Sequence, residues 1–205
     1  MENVEQGTPE WFAARCGKVT ASRIADVMTK TRNGYGAGRA NYMAQLIAER
    51  LTGNVADSYT NTAMQHGIDT EPMAREAYEL DRYVSVEHVG FVDHPSIEMA
   101  GASPDGRVAD DGNVEIKCPN TATHIETLLG APIDGKYIKQ MTWQMVCDDR
   151  QWCDFVSFDP RMPEELQLFV KRVDLDTYLA LTITKEVEKF LAELDEKEKK
   201  LRALI

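Results

Sequence analysis

Ser103-Pro104-Asp105-Gly106-Arg107-Val108-Ala109-Asp110-Asp111-Gly112-Asn113-Val114-Glu115-Ile116-Lys117 reads as two short strands around a tight turn. Side chains alternate along a strand, so Glu115 and Lys117 share one face while Val114 and Ile116 share the other. Burying the apolar pair leaves an acid and an amine side by side at a sheet margin. The turn decides whether Asp105 joins them. A two-residue turn pairs Asp105 with Cys118 and puts it on the wrong face. A three-residue loop with Gly112 in the left-handed region pairs Asp105 with Lys117 and brings all three groups together, and this is the expected geometry. Two carboxylates on one face repel unless a cation lies between them, and their hard oxygens suit Mg²⁺. The backbone carbonyl of Ile116 is a further candidate ligand, and Glu71 a further acid. Lys117 is placed to orient a water or to stabilise charge developing on phosphorus.

Working outward, Thr8-Pro9-Glu10 gives an N-cap and a first-turn proline for a short helix through Arg15. Thr20 or Ser22 is expected to cap the next helix, and the glycine-rich Thr31–Gly38 stretch to form a loop. Helices follow over 39–51, ended by Gly53, and over about 61–82, with Met73, Ala74, Ala77 and Leu80 as the buried stripe. Strands are expected within 83–93, 98–102, 107–117, 151–158 and 166–173. Helices are expected over 123–129, 136–146 and 176–204. The pattern predicts one α/β domain over 1–205, with a central mixed sheet flanked by helices.

The 205 residues carry 34 acids and 23 bases, a formal charge of −11, which argues at first against a nucleic-acid binder. The charge is segregated. Residues 11–50 hold Arg15, Lys18, Arg23, Lys30, Arg32, Arg39 and Arg50 against Asp26 and Glu49, whereas residues 51–116 have a balance of −10. The two blocks either pair with each other or form an anion-binding face beside a cation-binding one. No apolar run is long enough for a membrane span. MENVEQGTPEW lacks the pattern of a secretory signal, so the expected compartment is the cytoplasm. Cys16, Cys118, Cys147 and Cys153 form no CxxC pair, which excludes a zinc ribbon and favours free thiols.

Six pieces in order carry a resemblance: Trp11-Phe-Ala-Ala-Arg15 through Thr20-Ala-Ser22; His66-Gly67 through Glu71; Ser103-Pro-Asp105-Gly; Glu115-Ile-Lys117-Cys-Pro; Tyr137-Ile-Lys-Gln140 through Gln144; and Phe158-Asp-Pro-Arg161-Met. Over about residues 10–162 the chain resembles the lambda exonuclease (YqaJ-like viral recombinase) family of phage alkaline exonucleases, within the restriction-endonuclease-like PD-(D/E)xK superfamily. That resemblance implies a 5′→3′ exonuclease acting on linear double-stranded DNA with 5′-phosphorylated ends. It further implies two Mg²⁺ ions, replaceable by Mn²⁺, a homotrimeric ring and a single-strand annealing partner. The setting it implies is a bacterial host, with the gene carried by a phage or prophage. By motif position Asp105, Glu115, Glu71 and the Ile116 carbonyl would be metal ligands, Lys117 the catalytic lysine, and Gln140 a catalytic glutamine. Arg15, Ser22 and Ser103 would form a 5′-phosphate pocket, and Arg32 in the glycine-rich loop is a further candidate for gripping DNA.

Tyr137, Gln140 and Gln144 share a helical face, and apart from the resemblance packing explains them as well. Two other functions use the same residues. A site- or structure-specific endonuclease would keep Asp105, Glu115 and Lys117 and cut circles. A non-catalytic DNA-binding module would keep the fold without the chemistry.

Overall fold

The computed structural model describes residues 4–32, 34–55 and 62–205. Thr8 caps α1 (Pro9–Arg15), its hydroxyl accepting from the Trp11 N–H at 3.3 Å. β1 (Val19–Thr20) passes through a 3₁₀ turn at Ala21–Arg23 into α2 (Ile24–Met28). Thr20 stands at the cap of that turn without a side-chain capping bond, and Ser22 lies inside it, so neither caps a helix as expected. The glycine-rich stretch folds as a hairpin of β2 (Lys30–Thr31) and β3 (Gly34–Tyr35) rather than an open loop. α3 (Ala37–Thr52) ends at Gly53, whose φ of 69° is a left-handed cap that glycine adopts without a Cβ penalty.

α4 (Thr62–Arg82) is the long helix; Asn61, its expected start, lies outside the described residues. Its buried stripe differs from the expected one. Ala74 is buried, but Met73 and Leu80 are exposed, and Tyr78 takes the core position because its hydroxyl has a partner in Asp154 at 2.8 Å. Short strands follow: β4 (Val86–Glu87), β5 (Val92–Asp93), β6 (Ala100–Ala102), β7 (Gly106–Val108) and β8 (Gly112–Lys117). α5 (Thr121–Leu128) and α6 (Gly135–Asp148) lead to β9 (Trp152–Phe158), β10 (Leu168–Asp174) and α7 (Thr177–Arg202).

The main sheet has the order β10-β9-β8-β7-β4, antiparallel except for the parallel β8–β9 pair. A smaller sheet, β1-β6-β5, stands beside it. One face of the main sheet packs Val108, Val114, Ile116 and Val156 against Ala74 and Tyr78 of α4. The other meets α6, whose Met141 and Met145 pack on Cys153 and Phe155. Away from the sheet, α6 presents Trp143 and Cys147 to a second core built by α2, α3 and α7, with Tyr42, Leu46, Ile183, Phe190 and Leu194 fully or nearly fully buried. Thus α6 is buried on almost every side, and the polar side chains it carries toward the sheet must find partners there.

The deciding hairpin departs from expectation in register. Its loop has three residues, but these are Ala109-Asp110-Asp111, with Val108 opposite Gly112 and Gly106 opposite Val114. One more step along the ladder sets Asp105 opposite Glu115 rather than Lys117. A two-residue shift preserves the face, so the convergence survives. The left-handed residue is Ala109, at φ 52°, not Gly112. Gly112 is glycine for another reason: the Trp152 ring lies directly over its Cα, where any Cβ would collide with it. That ring is held by its own N–H to Asp111 at 2.9 Å and by the Arg172 guanidinium stacked 3.4 Å from its centroid. Because the ring cannot swing aside freely, Gly112→Ala is expected to destabilise the fold by about 1–3 kcal/mol. A urea titration checks this, with a lower midpoint and an unchanged slope as the expected outcome.

Candidate active site

Glu115 is completely buried in the central strand, and a buried carboxylate is tolerated only with donors around it. Gln140 donates to one of its oxygens and Gln144 to the other, each at 2.6 Å, and the Lys117 ammonium pairs with it as well. The geometry follows from two repeats. Four residues of helix advance about 6 Å, and two residues of strand about 6.6 Å, so a helix row at i, i+4, i+8 keeps step with alternate strand residues. Gln140, Gln144 and Asp148 are such a row. Asp148 meets the sheet one step further along, where Arg107 donates to it from Nε at 2.9 Å. With its amide nitrogen turned to Asp148, Asn113 adds a bond of 3.0 Å.

Asp105 reaches the same face from the turn after β6. Beyond Gly106 the β7 strand no longer covers β8, and the carboxylate takes over, accepting from the Ile116 N–H at 2.7 Å. A strand residue sends its N–H and C=O to the same side, so the Ile116 carbonyl also leaves toward this uncovered margin. Burial and the nearby Glu115 hold the Asp105 carboxyl well above the ordinary aspartate range. Lys117 and the Ile116 N–H act in the opposite direction, and Glu71 adds to the rise. Burial alone would draw the Lys117 ammonium down, but Glu115 and Asp105 outweigh it and raise the group above its ordinary value. Glu71 stands on α4 with Arg75 donating to it at 2.7 Å. A cavity of about 180 Å³ opens beside Lys117, between Tyr137, Phe155, Ser157 and Thr123.

Among the described residues no three His, Cys, Asp or Glu side chains close around a common point. That is no obstacle to Mg²⁺, which is usually held by one or two carboxylates, with water and substrate oxygens completing its shell. Asp105 and Glu115, crowded and sharing a single lysine, fit such an ion by donor type and by their excess of negative charge.

The basic block resolves into two groups. Lys18 pairs with Asp93, Arg23 with Asp26, Lys30 with Glu186, Arg39 with Glu193, and Arg50 with Asp195 and Glu198. Four of these carboxylates lie on α7, which thereby covers much of the positive surface. Among the described residues Arg15 and Arg32 have no such pair. The Arg15 guanidinium lies 3.9 Å from the Trp11 ring centroid, and the Trp11 N–H donates to the Ser103 hydroxyl at 3.0 Å, so one indole joins Arg15 to Ser103. Burial lowers the Arg15 pKa, while Tyr42 and Glu49 act against it. Ser22 is exposed on its 3₁₀ turn, and Arg32 is exposed at the tip of the β2–β3 hairpin.

A family model described as the YqaJ-like viral recombinase domain matches residues 10–151. The chain belongs to the YqaJ-like viral recombinase family. No curated protein sequence matches it. Among solved structures it is similar to the alkaline exonuclease LHK-Exo from Laribacter hongkongensis, at 52% identity and a TM-score of 0.89. A complex of LHK-Exo with dAMP gives 52% and 0.90, and each match covers 96% of this chain and 97% of that one. A phage related exonuclease from Haemophilus somnus 129PT shares the fold, with 16% identity, a TM-score of 0.68 and coverage of 90% and 96%. The family and the near-full-length likeness to an alkaline exonuclease bear out the reading as a nuclease, and the mixed sheet flanked by helices is the fold expected.

Within this YqaJ-like chain, sequence reading left two site residues without a role. Gln144 was open to simple packing; the signal that singles it out is the polar row Gln140, Gln144 and Asp148 at four-residue spacing, set among the buried Met141, Trp143, Met145 and Cys147. Asp159 lies in the last motif and is fully buried. It accepts from the Arg161 backbone at 3.0 Å and from Arg161 Nε at 2.6 Å, while Arg161 also donates to the Pro119 carbonyl at 3.0 Å. This clasp fixes the chain as it leaves β8 just after Lys117. Burial alone would raise the Asp159 carboxyl, but the bonds from Arg161 and Thr121 outweigh it and hold the group down at about 2. A carboxyl depressed in the folded state stabilises the fold above its ordinary unfolded value, and that contribution is lost as the pH falls through the folded value. Stability measured by urea is therefore expected to fall from about pH 4 toward pH 2 in the wild type. In Asp159→Asn this part of the slope should be absent.

Proposed function

We propose that the chain is a Mg²⁺-dependent 5′→3′ exonuclease that removes one strand of linear double-stranded DNA from a 5′-phosphorylated end. The 3′ overhangs it leaves would serve recombination by strand annealing. The observation that carries this reading is the convergence of Asp105, Glu115 and Lys117 on the face of β8 turned toward α6, at the margin that β7 leaves uncovered. The Ile116 carbonyl leaves at the same margin, and Glu71 lies close enough to act on Asp105.

In this reading Asp105, Glu115 and the Ile116 carbonyl hold the ion, Glu71 assists with a second, and Mn²⁺ can substitute. When bound, the ion supplies Lewis-acid polarisation of the scissile phosphate. Lys117 works as a donor to a phosphate oxygen or to the attacking water, orienting that water or stabilising charge that grows in the transition state. Gln140, anchored on Glu115, borders the same space. Arg15 is the favoured ligand for the terminal phosphate, because among the described residues its fork of donors has no ion-paired carboxylate and Trp11 ties it to Ser103. Ser22 and Arg32, both exposed, are proposed to meet DNA from outside that pocket. Assembly into a homotrimeric ring and delivery of overhangs to an annealing protein belong to the same proposal.

The test incubates the protein with linear 5′-phosphorylated duplex and with covalently closed circles, with Mg²⁺ or with EDTA. Mg²⁺-dependent loss of one strand from linear DNA alone, beginning at 5′ ends, is the expected result. Cutting of the circle would move the reading to an endonuclease, and inertness with intact DNA binding would move it to a binding module. Lys117→Ala should lower the rate by at least about a hundredfold, with DNA binding retained. Arg15→Ala should remove the preference for phosphorylated over hydroxyl 5′ ends, and equal losses on both would refute its role.

A further inference from the structure

We propose that Gln144 is a positioning residue for the metal-holding carboxylates, an inference that rests on the reading of Asp105 and Glu115 as ligands. Its side chain is fully buried, and its Nε2 donates to Glu115 Oε2 at 2.6 Å. The same nitrogen lies 3.5 Å from the carbonyl of Ser103, two residues before Asp105. One amide thus touches both parts of the site: the buried acid on β8 and the segment between β6 and β7 that delivers the second acid toward it.

Packing alone does not account for a glutamine at this position. Among the described residues its Oε1 is buried without a hydrogen-bond partner, a cost that an apolar side chain of similar size would avoid. The benefit is local. Glu115 has two oxygens, and Gln140 and Gln144 hold one each, so the plane of the carboxylate is set by two amides one helical turn apart. Without Gln144 the second oxygen would lose its neutral donor, and the carboxylate could rotate about the bond to Gln140. Groups that orient metal ligands in this way change affinity by about 10–100-fold when removed.

The experiment compares wild type with Gln144→Met, which keeps the volume and removes the amide. Mn²⁺ alone, without DNA, is titrated by calorimetry, and the Mg²⁺ dependence of nuclease rate is measured alongside KM for linear DNA. Expected are a Mn²⁺ affinity lower by about tenfold and a matching rise in the Mg²⁺ needed for half-maximal rate, with KM for DNA unchanged. Should Gln144→Met lose its cooperative thermal transition, Gln144→Asn, which keeps the amide but draws it back by one methylene, carries the same expectation. Mn²⁺ binding indistinguishable from wild type in a folded variant would assign Gln144 to packing and overturn the inference. Failure of the wild type itself to bind Mn²⁺ would instead overturn the metal reading, and this inference with it.

Discussion

A carboxylate with no access to solvent, Glu115, sits in the middle of the main sheet, and the surrounding structure is arranged to make that tenable. Burying an unpaired ion is strongly unfavourable. The fold supplies an ammonium two residues along the same strand and two amides from the helix above. That helix has to lie close, run along the strand and keep in step with it, which is why α6 is packed between the sheet and the second core. The identity of α6 as a buried element and the existence of the polar site are therefore one constraint seen from two sides.

The outer parts of the molecule extend the same logic. α1 carries Trp11 to Ser103, and Gln6 donates to the carbonyls of Val89 and Pro104 at 2.8 Å each. The N-terminal segment is thus tied to the two residues that precede Asp105. On the other side the Asp159–Arg161 clasp fixes Pro119 just beyond Lys117. The face that carries Asp105, Glu115 and Lys117 is thus held at both ends, by Gln6 on the Pro104 carbonyl and Arg161 on the Pro119 carbonyl, bonds insensitive to side-chain identity in the segments they grip, and by Trp11 on the Ser103 hydroxyl.

Period and punctuation made most elements legible: the capped α1, the glycine that ends α3, the long α4 and the order of strands and helices through the middle. The face shared by Glu115 and Lys117 was legible too, since parity is a property of the strand alone, and Asp105 joins it because the loop has the expected three residues. The register was not, because a glycine was available for a left-handed turn while its actual use, lying under Trp152, depends on a residue forty positions away. The α4 stripe was misjudged for a related reason. Met73 and Leu80 have apolar side chains at helical spacing, but burial of Tyr78 depends on Asp154, which only the tertiary fold brings near. The opposed charge blocks left two outcomes open, and the pairing of Lys30, Arg39 and Arg50 with α7 could not be read from local sequence.

That pairing bears on how a chain of net charge −11 would meet a polyanion. Binding that neutralises phosphates releases condensed counterions, and affinity then falls with salt at a slope of roughly 0.9 per phosphate contacted. With Lys18, Arg23, Lys30, Arg39 and Arg50 already satisfied by carboxylates, few cations in the block remain to displace counterions from a duplex. Contacts made through this block would accordingly add little to the salt dependence of association with DNA or to long-range steering. In the exonuclease reading proposed above, what this block offers is short-range fit at a strand terminus through Arg15, a mode suited to telling an end from the continuous backbone on either side of it.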